Sequence, residues 1–113
     1  MSELDKVVER LREECHNDEV GLWELVREAE ITFTEGSLKH HVLEIARRLL
    51  CDPNIRAGVC EWGEGNGLFR IWNETADVIL NRISNEWDVL EHKPNIGEVV
   101  YFTCPTIRRL PTA

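Results

Sequence analysis

Four tryptophans occur in 113 residues, and three of them, Trp23, Trp72 and Trp87, sit inside strongly periodic apolar segments. An indole is costly to order in a small protein unless it fills a core or an interface. Their placement points to a compact domain organised around aromatics on helical and strand stripes. The fourth, Trp62, stands beside Gly63 at a glycine-rich turn. Burial is hard to arrange there in a monomer, which makes Trp62 a candidate interface anchor for a protein partner or a homodimer.

The stripes around the tryptophans are helical. Leu4, Val7, Val8 and Leu11 recur at three- and four-residue spacing and predict a helix over 3–15. Asn17-Asp18 breaks it, and Asp18 is expected to cap a second helix over about 19–30, with Leu22, Trp23, Leu25, Val26 and Ala29 inward. Ile31-Thr32-Phe33-Thr34 is β-prone and reads as an extended link or a small strand. Glu35-Gly36-Ser37 reads as a turn and an N-cap. A third helix follows over 38–50, with Leu38, Val42, Ile45, Ala46 and Leu49 on one side, and Pro53 stops it.

Two β-prone runs, 55–62 and 68–72, flank Gly63-Glu64-Gly65-Asn66-Gly67, which predicts a hairpin. Asn73 is the expected cap of a fourth helix over about 74–91, and Val99-Val100-Tyr101-Phe102-Thr103 reads as a last strand that joins the hairpin. The expected fold is α+β and winged-helix-like, in the order helix, helix, helix, hairpin, helix, strand, with a small antiparallel sheet. One domain over 1–103 and a flexible C-terminal tail over 104–113 complete the expectation.

The net charge of −8 is unevenly spread: −6 over 1–30, +1 over 31–60 and −3 over 61–113. An acidic chain is repelled by phosphate backbones and steers basic partners. The paired acids Glu13-Glu14, Asp18-Glu19 and Glu28-Glu30 on the N-terminal helices, the first two pairs above all, are therefore the candidate surface for a basic protein partner, as in an inhibitor that mimics phosphate charge. The plain alternative is solubility. Nucleic-acid binding is confined to the middle third, where Lys39, His40, Arg47 and Arg48 would make the third helix a recognition helix. That helix carries no Asn or Gln, and the hairpin tip carries acids rather than bases.

No catalytic, metal or cofactor motif accompanies these patterns. His40 and His41 point about 100° apart on a helix and cannot easily share a metal. Cys15, Cys51, Cys60 and Cys104 form no Cys-x-x-Cys pair, so reduced, mostly buried thiols are expected. A Cys–His dyad would need Cys60 or Cys104 beside His92. The acidic start Met1-Ser2-Glu3-Leu4-Asp5 is no secretory signal, no apolar run spans a bilayer, and a cytoplasmic, non-enzymatic protein of bacterial type is expected.

Five segments carry a resemblance: Leu22-Trp23-Glu24-Leu25, Leu49-Leu50, Phe69-Arg70-Ile71-Trp72, the run Ile83 to Leu90, and Pro94-Asn95-Ile96-Gly97 leading into Tyr101-Phe102. They resemble a family of small, uncharacterised bacterial proteins from about Gly21 to Thr103. That family has no assigned activity, so the resemblance implies no functional residues. Some such proteins look like immunity or accessory proteins.

Overall fold

The computed structural model describes residues 2–63, 66–95 and 98–104, with the side chains of 60–69 outside the description. Among the described residues the elements are α1 (Glu3–Asn17), β1 (Val20–Gly21), α2 (Leu22–Thr32), α3 (Leu38–Leu50), β2 (Arg56–Gly63), β3 (Asn66–Ile71), α4 (Ala76–Leu90) and β4 (Tyr101–Thr103). Four helices and a small antiparallel sheet make an α+β fold. The strand order is β1-β4-β2-β3. The last strand does join the hairpin: Ala57 of β2 pairs with Phe102, and Phe102 pairs on its other side with Val20 of β1.

The helical stripes bury what their spacing implies. Val7, Val8 and Leu11 of α1, Leu22, Leu25, Val26 and Ala29 of α2, and Val42, Ile45, Ala46 and Leu49 of α3 all enter one core with Phe102. α3 keeps its expected bounds because both its ends are set locally. Gly36 takes φ +87, a conformation favoured by glycine, and the Ser37 hydroxyl accepts the His40 N–H at 3.2 Å. α1 is closed at its start by a capping box between Ser2 and Asp5.

Other boundaries move, each for a physical reason. Asp18 is not the cap of α2; it is the C-cap of α1, its N–H donating to the Glu14 carbonyl at 2.7 Å. Residues 20–21 are drawn into β1 by pairing with β4, so α2 starts at Leu22 behind Gly21, whose N–H donates to Glu24 Oε2 at 2.9 Å. Ile31 and Thr32 finish α2 rather than forming a link, because the Phe33 N–H still reaches the Ala29 carbonyl. Thr75, not Asn73, caps α4; Asn73 instead accepts from Arg56. β4 starts only at Tyr101, since Val99 has φ 68, which a strand cannot contain.

The hairpin strands extend further than expected, with Gly63 paired to Asn66; the expected turn residues Glu64 and Gly65 lie outside the described residues. Cys104 belongs to the core, not to a tail: it is buried, and its N–H donates to the Cys15 carbonyl at 3.0 Å. The rest of the expected tail, 105–113, lies outside the described residues. Trp72 is buried, and Trp87 packs partly buried against the same core. Trp23 does not join them. It is half-buried and lies over Gly21, where an added Cβ would meet its ring at 2.7 Å. Among the described residues no helix is long and apolar enough to cross a membrane.

Candidate functional site

The acidic candidates gather where α1 ends and the chain turns into β1. Three of the five acids of α1 meet cations: Glu3 pairs with Lys6, Asp5 with Arg48 and Glu9 with Arg12. The last two, Glu13 and Glu14, are exposed and make no ion pair among the described residues. They stand at the helix C-terminus, where the macrodipole disfavours negative charge. Asp18 follows with its side chain accepting the Glu19 N–H at 2.8 Å. Thr103 of β4 holds this turn in place, its hydroxyl donating to the Asp18 carbonyl at 3.3 Å.

The local field there is negative. Burial pushes the Glu24 carboxyl above the ordinary range, and Glu14 and Asp18 push it further, against the Gly21 N–H and Arg27. Burial likewise drives the Cys15 thiol up to about 12, with Glu14 and Glu24 adding to it. Glu14, Asp18 and Glu24 thus form a like-charged group beside the edge strand β1. Trp62 is not brought to this group by any described contact; it pairs by backbone with Gly67 far along the hairpin, and its side chain lies outside the described residues.

The cations of α3 are spent inside the molecule. Lys39 Nζ lies 2.7 Å from Asp88 of α4. Arg47 pairs with Glu44, and Arg48 with both Glu44 and Asp5. Glu44 is held below the usual carboxylate range chiefly by its hydrogen bond from Arg47. Of that set, His40 is exposed and meets no carboxylate among the described residues. Its ring meets His41 edge-on at 6.1 Å, while His41 stacks on Phe33 at 4.4 Å and donates from Nε2 to the Glu35 carbonyl at 2.7 Å.

The thiols and imidazoles are likewise dispersed. Cys15 and Cys104 are buried together, and Cys51 is exposed at the end of α3. His92 Nδ1 donates to the Lys93 carbonyl at 2.7 Å, and its Nε2 lies 3.8 Å from Glu98. The Cys60 side chain lies outside the described residues. His16 pairs with Asp52 at 3.2 Å, and Asp52 is held low first by the Asn54 N–H and then by His16 and Arg12. Among the described residues no group of three or more His, Cys, Asp or Glu is placed to share a metal ion.

Two features escape a reading of stripes and motifs. Arg82 stacks on Trp72 with 3.8 Å to the ring centroid, and Arg27 stacks on Trp23 at 5.1 Å. The second pair has the i,i+4 helical spacing that brings side chains together, which is a signal present in the sequence. The first joins α4 to the chain after β3 and has none.

No protein-family model matches the chain, and neither a curated protein nor a solved structure does.

Proposed function

We propose that the protein is a non-catalytic binding protein whose acidic surface at the end of α1 engages a basic protein partner. The observation that carries this reading is the split along α1. Its first three acids are neutralised within the fold, whereas Glu13 and Glu14 are exposed, unpaired among the described residues and set against the helix dipole beside Asp18 and Glu19. Charge that does nothing for the fold and opposes the dipole is free to attract a cationic surface. An immunity-type inhibitor, covering the phosphate-binding cleft of a nucleic-acid-cleaving enzyme, is the most specific form of this reading.

The winged-helix alternative, with Lys39, His40, Arg47 and Arg48 facing DNA, has the weaker support. Three of those four side chains already meet carboxylates, and freeing them would cost the ion pairs that tie α3 to α1 and α4.

Affinity capture from the native host decides between them. The wild-type protein is expected to retain a basic partner in stoichiometric amount at low salt, released as salt rises. The double variant Glu13→Lys/Glu14→Lys is expected to lose it. No stoichiometric partner at low salt, or equal retention by the variant, sinks the proposal; salt-sensitive duplex DNA binding by the wild type would favour the alternative.

A further inference from the structure

Arg27 stands apart from five other described arginines. Arg10, Arg12, Arg47, Arg48 and Arg82 each meet at least one carboxylate. Arg27 makes no hydrogen bond or ion pair among the described residues; it is exposed, and its guanidinium lies over the Trp23 ring. A guanidinium that stacks through its face keeps its N–H fork free at the edge, in the geometry that accepts a carboxylate in two parallel hydrogen bonds. The contrast with Arg82 is direct. That guanidinium also stacks on a tryptophan, but Glu74 and Glu86 take up its donors.

The free fork borders a groove. Trp23, Val26 and Arg27 of α2 form one wall, and Lys93, Pro94 and Asn95 form the other, around a volume of about 300 Å³. The half-buried Trp23 supplies apolar surface, backed by the buried Val26 and Pro94. Lys93 and Glu30, which also lines the groove, pair at 2.6 Å, so Arg27, which acts on the Glu24 carboxyl only through its field, is the groove's cation with no ion pair among the described residues. The Asn95 side-chain amide makes no hydrogen bond among the described residues and adds a second polar group. The walls are braced from below: the Trp23 ring rests on Gly21, and the Asn95 N–H donates to Glu98 at 2.7 Å.

We propose that this groove binds a small organic acid, with its carboxylate on the Arg27 fork and its apolar body against Trp23 and Pro94. A volume at the lower end of the range for ligand sites suits a small molecule rather than a segment of a folded partner. The site is separate from the acidic surface of α1, and neither depends on the other.

The test is a ¹H–¹⁵N NMR titration with acetate, hexanoate and phenylacetate, and with phenylacetamide as the uncharged control. The Trp23 indole signal is identified with Trp23→Phe. Saturable shifts of the Trp23 indole and the Arg27 amide are expected with hexanoate or phenylacetate, weaker with acetate, and at least about tenfold weaker with phenylacetamide. Arg27→Ala is expected to weaken binding by about tenfold or more while leaving the unfolding midpoint almost unchanged. Three results overturn the proposal: no saturable shift with any of the acids up to about 10 mM, equal affinity for phenylacetamide, or full affinity in Arg27→Ala.

Discussion

Trp72 and Trp23 each carry an arginine on one ring face, at 3.8 and 5.1 Å from the centroid. Around Trp72 every group is committed: the indole is buried in the core, and Arg82 is held between Glu74 and Glu86. Around Trp23 the indole is half-buried on a glycine, and the arginine on it is unpaired among the described residues. The same two side chains thus seal the core at one place and edge an open groove at the other. Burial of the indole and the nearby carboxylates make the difference. Stacking alone says nothing about whether a site is structural.

Mutation separates the two places. Trp72→Ala should show the largest effect, a loss of about 3–5 kcal/mol in chemical denaturation, because it empties core volume. A loss under about 1 kcal/mol would mean that the ring is not part of the core. Gly21→Ala comes next. Its Cβ would meet the Trp23 ring at 2.7 Å and Tyr101 at 3.2 Å, so the ring must shift; a loss of about 1–3 kcal/mol is expected, with a displaced Trp23 indole resonance and an unmoved Trp72 one. Arg82→Ala should cost about 1 kcal/mol, from a half-exposed stack and two screened ion pairs, whereas Arg27→Ala should cost less than about 0.5 kcal/mol. Equal costs would erase the distinction.

Near the Trp23 side, Glu24 offers a pH test. Its folded pKa is raised, first by burial and then by Glu14 and Asp18, so the folded state holds this proton more tightly than the unfolded one. Its contribution to stability is therefore greatest in acid and declines as pH rises through the raised value. Glu24→Gln, which can still accept the Gly21 N–H, should be the more stable protein near neutral pH, with the gain vanishing below about pH 4. A gain that persists in acid would point to some other cause. The smallest expected effect belongs to Glu14→Lys, a gain of about 0.3 kcal/mol from the helix dipole, together with weaker capture of the basic partner. A variant that gains stability and keeps its partner would detach the acidic surface from binding.

Much of the fold was legible in the chain because its causes are local. α3 was readable to the residue: Ser37 caps it, its stripe has the helical period, and Pro53 follows. The helical stripes named the core of α1 and α2 nearly complete. The start of α2 was not readable, because Asp18 has the right chemistry for an N-cap, and only pairing with β4, far along the chain, turns Val20 and Gly21 into a strand. Val99 looked like a strand residue by composition, yet its positive φ belongs to the approach to Tyr101.

The candidate sites divide in the same way. The sequence by itself determined how many acids and bases there are, that the first thirty residues are strongly acidic, and which residues alternate toward a core; these are properties of composition and period, and need no partner. Which charges remain available was decided only in three dimensions. Lys39, Arg47 and Arg48 read as a basic face until Asp88, Glu44 and Asp5 are brought against them, and Arg27 is left on the Trp23 ring because folding brings no carboxylate of the described residues within ion-pair distance of it. Pairing acts over a few ångströms between side chains far apart in the chain, and so it is invisible until the chain is folded.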